Sequence, residues 1–271
     1  MNSSIEELLN QASTQLKASV PRPRLEAEIL LAYVLEQERI WLHLHFHDRV
    51  EPKNYFELIQ RRVQNEPIEY ITGKVSFYGE DFLATPGVLI ARPETELLID
   101  HAMTIIERHP EINTIAEIGV GSGIISIILA KKYPHLSFIA SDINQKALTL
   151  TKANMNLHNI EERISLFHTS LLDTIETPID MIVSNPPYIA NSEPLEAHVL
   201  KEPSSALFGG VVGDELLKDI IDLSIKRNIS YLICEMGYDQ KEPLTAYLKN
   251  HGRSATFYKD YSNFDRGFFL D

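Results

Sequence analysis

Apolar residues recur at helical spacing through the first quarter of the chain and in short continuous runs thereafter, a change of period that predicts two domains. Ser4 and Glu7 have the spacing of a capping box, and Leu8, Leu9, Ala12 and Leu16 follow on one helical face. Pro21 and Pro23 then break the pattern. Arg24 to Glu38 contains Leu25, Ile29, Leu30, Ala32 and Val34 without Gly or Pro, and Pro52 precedes Phe56, Ile59 and Val63 on another face. Residues 1–72 are therefore expected to form a domain of three helices. Pro67 to Gly73 reads as a turn-rich stretch, and Val75 to Ile90, punctuated by Gly79, Pro86 and Gly87, reads as a strand pair, so 73–90 is expected to be a hairpin linker.

From there, strands and helices alternate through a domain of residues 91–271. Pro93 suits the first turn of a helix, Glu94 and Glu96 favour its positive end, and Leu97, Leu98, Ile105 and Ile106 continue it. Strands are predicted at Thr114 to Ile118, Leu136 to Ala140, Ile164 to Phe167, Asp180 to Ser184 and Ile229 to Cys234, with a closing pair near Ala255 to Lys259 and Gly267 to Leu270. Helices are predicted at Ser122 to Tyr133, Gln145 to Leu157, around Leu216 to Lys226 and around Tyr238 to Lys249. Apolar strands alternating with helices predict an α/β fold, a largely parallel sheet covered on both faces.

Composition narrows the class. A chain of 271 residues, 44% hydrophobic and 23% charged, can bury about three quarters of its unfolded surface without disulfides. The single Cys234 lies in an apolar run and reads as a buried, inert thiol. Glu6, Glu7, Asn10 and Gln11 occupy the region where a secretory signal needs an apolar core, and no run reaches the ~18 apolar residues of a membrane span, so a cytoplasmic protein is expected. The net charge is −13, with 8 basic and 11 acidic side chains in residues 1–72 and 17 and 27 in the rest. Neither part is a basic arm, and direct binding to nucleic acid is not expected.

Two segments carry chemistry. The first is Glu117-Ile-Gly119-Val120-Gly121-Ser122-Gly123, a strand end that opens into a helix, where missing side chains let a ligand approach the backbone. Ile124 stands where a nicotinamide-dinucleotide fingerprint has its third Gly or Ala, which weakens that reading. Asp142 ends the next strand, where a carboxylate can accept both hydroxyl hydrogens of a ribose. S-adenosylmethionine meets both demands, because it joins a ribose to an amino-acid tail and carries no phosphate.

The second segment, Asn185-Pro186-Pro187-Tyr188, follows a strand end, the place where open α/β sheets hold ligands. The Asn side-chain oxygen and a nearby main-chain carbonyl can accept the two hydrogens of a planar NH2 group, while successive prolines fix the backbone that presents them. Tyr188 can cover that group from one side. A nitrogen so held is oriented to pyramidalise and attack the methyl of a sulfonium in line, which implies methylation of an amide or an aryl amine. No strong general base is demanded, since the methylated nitrogen becomes acidic enough to release its proton to a carbonyl or to water.

With these motifs the chain resembles the bacterial release-factor glutamine methyltransferases, a family of class I S-adenosylmethionine-dependent enzymes with a Rossmann-like fold and a small amino-terminal helical domain. The resemblance runs along nearly all residues and includes Glu66-Pro-Ile-Glu-Tyr-Ile-Thr-Gly73, Arg92-Pro-Glu-Thr-Glu96, Glu202-Pro203 with Ala206-Leu207, and Glu235-Met-Gly-Tyr-Asp-Gln240. It implies methyl transfer to the side-chain amide of the glutamine in the GGQ motif of peptide-chain release factors, with the helical domain helping to bind that protein. Position by position it implies cofactor contacts at Gly119, Val120, Gly121, Ser122, Gly123, Asp142, Ser170 and Asn185. It also implies a glutamine site at Asn185, Pro186, Pro187 and Tyr188, with Asn185, Pro186 and Tyr188 catalytic. The chain departs from the family at Ala91, where proline is usual, and at Val212, where an acidic residue is common.

Three other readings stay in view: glutamine methylation on a ribosomal protein, adenine methylation in nucleic acid, which uses the same N-P-P-Y geometry, and a noncatalytic binding module. His43, His45 and His47 would share a face in a strand and diverge in a helix; with no cysteine nearby, no metal site is expected. Asp265 and Arg266 read as residues that pair or that order the last strand, and Glu94 with Glu96 as helix-start chemistry.

Overall fold

The computed structural model describes residues 3–270 and divides into two compact units. One takes the chain up to Lys74 together with Leu195–Lys201; the other takes Val75–Pro194 and the chain from Glu202 onward.

In the first unit, β1 (Ser3–Ser4) pairs with β2 (Arg49–Val50), and the helices are α1 (Ile5–Leu16), α2 (Pro23–Leu35), α3 (Arg39–Leu44), α4 (Tyr55–Val63) and α5 (Ile68–Thr72). The capping box forms as expected, Glu7 N–H donating to Ser4 Oγ at 3.2 Å and Ser4 N–H to Glu7 Oε2 at 2.9 Å. Among the described residues, five helices replace the expected three. The segment read as one helix to Glu38 ends at Leu35, because Glu36 turns into the left-handed region at φ 53° and α3 starts afresh. The stretch read as turn-rich is α5, one turn of helix between Pro67 and a left-handed Gly73. Leu9, Leu30, Leu42 and Ile59 close this unit's core with no exposure. The three histidines go different ways: His43 faces Glu28 at 3.4 Å, His45 stacks on Trp41 with ring centroids 4.0 Å apart, and His47 lies 3.7 Å from Glu6.

The hairpin of β3 (Lys74–Phe77) and β4 (Glu80–Leu83), turned through Tyr78 and Gly79, both at positive φ, belongs to the second unit from Val75 onward. There follow α6 (Thr95–Arg108), β5 (Thr114–Ile118), α7 (Ile124–Lys132), β6 (Ser137–Asp142), α8 (Gln145–Leu157), β7 (Ile164–His168) and β8 (Met181–Ser184). A short parallel pair, β9 (Ile189–Ala190) with β10 (Phe208–Gly210), was not expected from the sequence; α9 (Glu215–Lys226), β11 (Tyr231–Glu235), α10 (Lys241–Asn250), β12 (Thr256–Lys259) and β13 (Asp265–Leu270) complete the chain.

Seven strands form one sheet in the order β12-β13-β11-β8-β5-β6-β7. The five strands from β11 to β7 are parallel, and the β12–β13 pair joins antiparallel at the edge. Alternate residues serve opposite faces: Ile115, Met181 and Val183 pack with α6 and α7, whereas Ala116, Ile182 and Leu232 pack with α9 and α10. Burial on both faces explains why these strands read as continuous apolar runs. From Ile124 to Ala130, α7 is buried all round, which erases the amphipathic signal a surface helix would show. Cys234, on β11, has no exposure, and burial pushes its thiol up. Among the described residues no helix is long and apolar enough to cross a membrane.

Candidate active site

The chain steps from β5 to β6 and β7 on one side and then returns to place β8 on the other, which makes the carboxyl ends of β5, β6 and β8 a switch point in strand order. Open α/β sheets bind ligands at such a point. The glycine turn leaves β5, Asp142 ends β6, and Asn185 follows β8. Ser184 Oγ donates to Ile118 O at 2.7 Å and so ties the ends of β8 and β5 together.

Two cavities meet there. The larger, of about 790 Å³ including its mouth, is bordered by Gly119, Gly121, Asp142, Ser170, Asn185 and Pro187, with Val88, Ile143, Leu171 and Ala206 supplying apolar wall. The smaller, of about 380 Å³, is bordered by Thr95, Glu117, Val120, Ser122 and Ile125. Gly119, Gly121 and Asn185 border both. Gly123, Pro186 and Tyr188 border neither. Gly123 instead caps α7 at φ 83°, and a Cβ there would lie 2.6 Å from Thr151 Cγ2. Pro186 is buried.

The glycine turn leaves room for a ligand. A Cβ built on Gly119 or Gly121 meets nothing within 4 Å, so the space above the backbone is open on the cavity side. Asp142 Oδ2 accepts the Gly121 N–H at 3.0 Å and Oδ1 accepts the Asn144 N–H at 2.8 Å, which leaves each oxygen a further lone pair. Burial raises the Asp142 carboxyl above the usual range, while the N–H donors of Gly121 and Asn144 pull it back. This donor set and open cradle fit a ribose bearing two hydroxyls and an amino-acid tail. Beneath them, burial pushes Glu117 up to about 8, although Ser126 donates to it through both its N–H and its hydroxyl.

Around Asn185 the side chains form a chain of hydrogen bonds. Asn185 Nδ2 donates to Thr95 Oγ1 at 3.0 Å, and Thr95 Oγ1 donates to Glu235 Oε2 at 2.8 Å. Tyr188 OH donates to the other oxygen of Glu235 at 3.1 Å. Glu235 is buried at the end of β11, and burial pushes it up to about 7. Asn185 Oδ1 has no protein partner among the described residues. The sequence reading gave Thr95 and Glu235 no role, although both lie in segments that carry the family resemblance. The one visible signal was an acidic residue closing an otherwise apolar buried strand.

Tyr188 is more tethered than its expected covering role requires: its hydroxyl is held by Glu235 and its ring packs against the core beside α9. Gln240 holds the following backbone, its Nε2 donating to Tyr188 O at 2.9 Å while its Oε1 accepts the Gly237 N–H at 2.8 Å. Arg92 Nη2 donates to Glu202 Oε1 at 2.5 Å, and the same carboxylate accepts the Ile90 N–H at 3.0 Å. Where Val212 stands in place of an acidic residue, Glu215 accepts the N–H groups of Val212 and Gly213 at 2.9 and 2.7 Å.

Backbone presses on backbone below the prolines. A Cβ on Gly209 would lie 2.4 Å from Pro187 O and 2.4 Å from Gly213 O, neither of which can rotate away. Gly209→Ala is therefore expected to shift Pro187 and lower turnover at this site at least ~10-fold, since misplacement of about 1 Å near reacting groups can cost 10²-fold. Steady-state kinetics beside a thermal melt checks this; parental turnover would show that the segment is free to yield.

Residues 7–73 match the family model described as PrmC N-terminal domain, and residues 91–207 match the Methyltransferase small domain. A release factor glutamine methyltransferase of Koribacter versatilis is 34% identical over 258 residues, covering 91% of each chain. A bifunctional methyltransferase of Rickettsia typhi is 33% identical over 295 residues; the alignment covers 98% of this chain and 57% of that one, so the chain spans little more than half of that relative. The solved amino-terminal domain of human METTL16 in complex with SAH superposes with a TM-score of 0.52 at 16% identity, covering 89% of this chain and 93% of that one, a likeness of fold.

Proposed function

Since the chain belongs to the family of release factor glutamine methyltransferases, we propose that it methylates the side-chain amide nitrogen of the glutamine in the GGQ motif of peptide-chain release factors. The observation that carries the reading is Asn185: it borders both cavities, its NH2 is spent on Thr95, and its oxygen is left to accept from whatever planar amide enters. An acceptor oxygen facing an NH2 group is the arrangement a carboxamide substrate needs.

S-adenosylmethionine, when bound, supplies a methyl on a positively charged sulfur that leaves as a neutral thioether with the bonding pair. Asp142 would hold the ribose hydroxyls, with Ser170 beside them, and the turn from Gly119 to Ser122 would carry the amino-acid tail. Asn185 Oδ1 and a main-chain carbonyl of the proline segment accept the two hydrogens of the substrate amide and orient its nitrogen. That nitrogen forms the new N–CH3 bond, and its surplus proton passes to water or a carbonyl. The protein's contribution is orientation and exclusion of water, with no protein base required. The helical unit is proposed to help recognise the release factor, and a substrate drawn from translation puts the reaction in the cytoplasm.

The test is transfer of label from methyl-labelled S-adenosylmethionine to a purified release factor, with a ribosomal protein in parallel. Label is expected in the parent factor and absent from one whose GGQ glutamine is replaced by alanine. Label that never reaches that glutamine overturns the reading.

A further inference from the structure

A carboxamide has two ends of nearly equal size, and only its hydrogen-bond partners decide which end faces a ligand. For Asn185 that choice decides whether the site works. Its oxygen can accept from a substrate NH2, whereas its own NH2 would set donor against donor.

Thr95 sits at the start of α6, 3% exposed, between Asn185 and Glu235. A hydroxyl has one proton to give, and an ionised carboxylate can only accept. While Glu235 carries its charge, Thr95 must donate to it at 2.8 Å and can meet Asn185 at 3.0 Å only as acceptor. The Asn185 NH2 is thereby fixed on Thr95 and the oxygen is turned to the cavity. Tyr188 donates to the second oxygen of Glu235, so one buried carboxylate sets the polarity of both side chains of the N-P-P-Y segment.

We propose that Thr95 and Glu235 are positioning residues that select the end of the Asn185 carboxamide presented to the acceptor amide. The inference rests on the reading of the site as one for a carboxamide substrate. Protonation reverses the relay: a neutral Glu235 donates to Thr95, Thr95 can donate onward, and Asn185 is free to turn its NH2 to the cavity.

Glu235 is faced from each element packed on it. Thr95 and Glu94 lie at the start of α6, Tyr188 follows β8, Tyr258 is on β12, and Arg266 is on β13. Burial and Glu94 raise the carboxyl, while Thr95, Tyr188 and the Arg266 cation lower it, with the balance near neutrality.

Thr95→Val is expected to lower kcat ~10–10²-fold with the affinity for S-adenosylhomocysteine changed less than about threefold, and Thr95→Ser to restore most of the loss. Parental kcat is expected to rise with pH through about 7, and Glu235→Gln to flatten that rise. Independently of turnover, the side-chain NH2 resonances of Asn185 in 15N-asparagine-labelled protein should show one proton protected from exchange in the parent and in Thr95→Ser, and neither in Thr95→Val. Unchanged kcat with an unmoved Asn185 amide in Thr95→Val overturns the relay, as does a loss that Thr95→Ser fails to rescue. If the parent methylates no release factor, the substrate reading fails, while the amide resonances still decide which way Asn185 faces.

Discussion

Asn185→Ala is expected to lower kcat by about 10²-fold, the cost of removing one preorganised polar contact from a developing transition state. The variant loses the acceptor proposed for the substrate amide and leaves Thr95 without its donor, but it keeps the proline backbone and the Ser184 tie between β8 and β5. The loss should therefore fall on kcat, with the melting temperature near that of the parent. Asn185 also borders the cavity proposed to hold the nucleoside, so a cofactor affinity weaker by a factor of a few is expected to accompany the effect. Single-turnover methyl transfer separates the two, and a rate within threefold of the parent would remove Asn185 from the mechanism.

The second large effect belongs to Asp142→Ala, which weakens S-adenosylmethionine binding by ~10- to 10²-fold, as expected for losing charge-assisted hydrogen bonds worth about 1.5–3 kcal/mol. Two losses combine. The acceptors proposed for the ribose go, and so does the carboxylate that holds the N–H groups of Gly121 and Asn144 at 3.0 and 2.8 Å. Asp142→Asn keeps one acceptor oxygen but sets its NH2 against the N–H of Gly121 or Asn144, and should also bind more weakly than the parent. Calorimetric titration with the cofactor decides it; equal affinities for parent and Asp142→Ala would show that the carboxylate serves only its own loop.

The sheet was legible because its strands are buried on both faces. Thr114–Ile118 was read with its observed bounds, and so was α8 from Gln145 to Leu157. Elements shorter than two helical turns were not legible: α3 and α5 offer too few residues to show a period, although Pro67 and Gly73 bracket α5 with ordinary start and stop residues. The pair β9 with β10 escaped because two- and three-residue strands carry no alternation.

At the site, the glycine turn, Asp142 and Asn185 announced themselves through residue types that suit few other purposes at strand ends. Thr95 and Glu235 did not. A threonine entering a helix and an acid ending a strand have ordinary explanations, and only the fold brings residues 95, 185 and 235 within one hydrogen-bonded chain. Tyr188 was legible as a member of the segment but not in its tether, which depends on the same distant carboxylate.

The lone sulfhydryl of Cys234 lies on a central strand between β8 and β13, beyond the reach of solvent. An alkylating reagent can modify it only when the layer of α9 and α10 that covers that face of the sheet opens, so the rate of its capture counts openings of that core. The chain thus carries a built-in clock for its own unfolding, one that can be read without adding a dye or changing a residue.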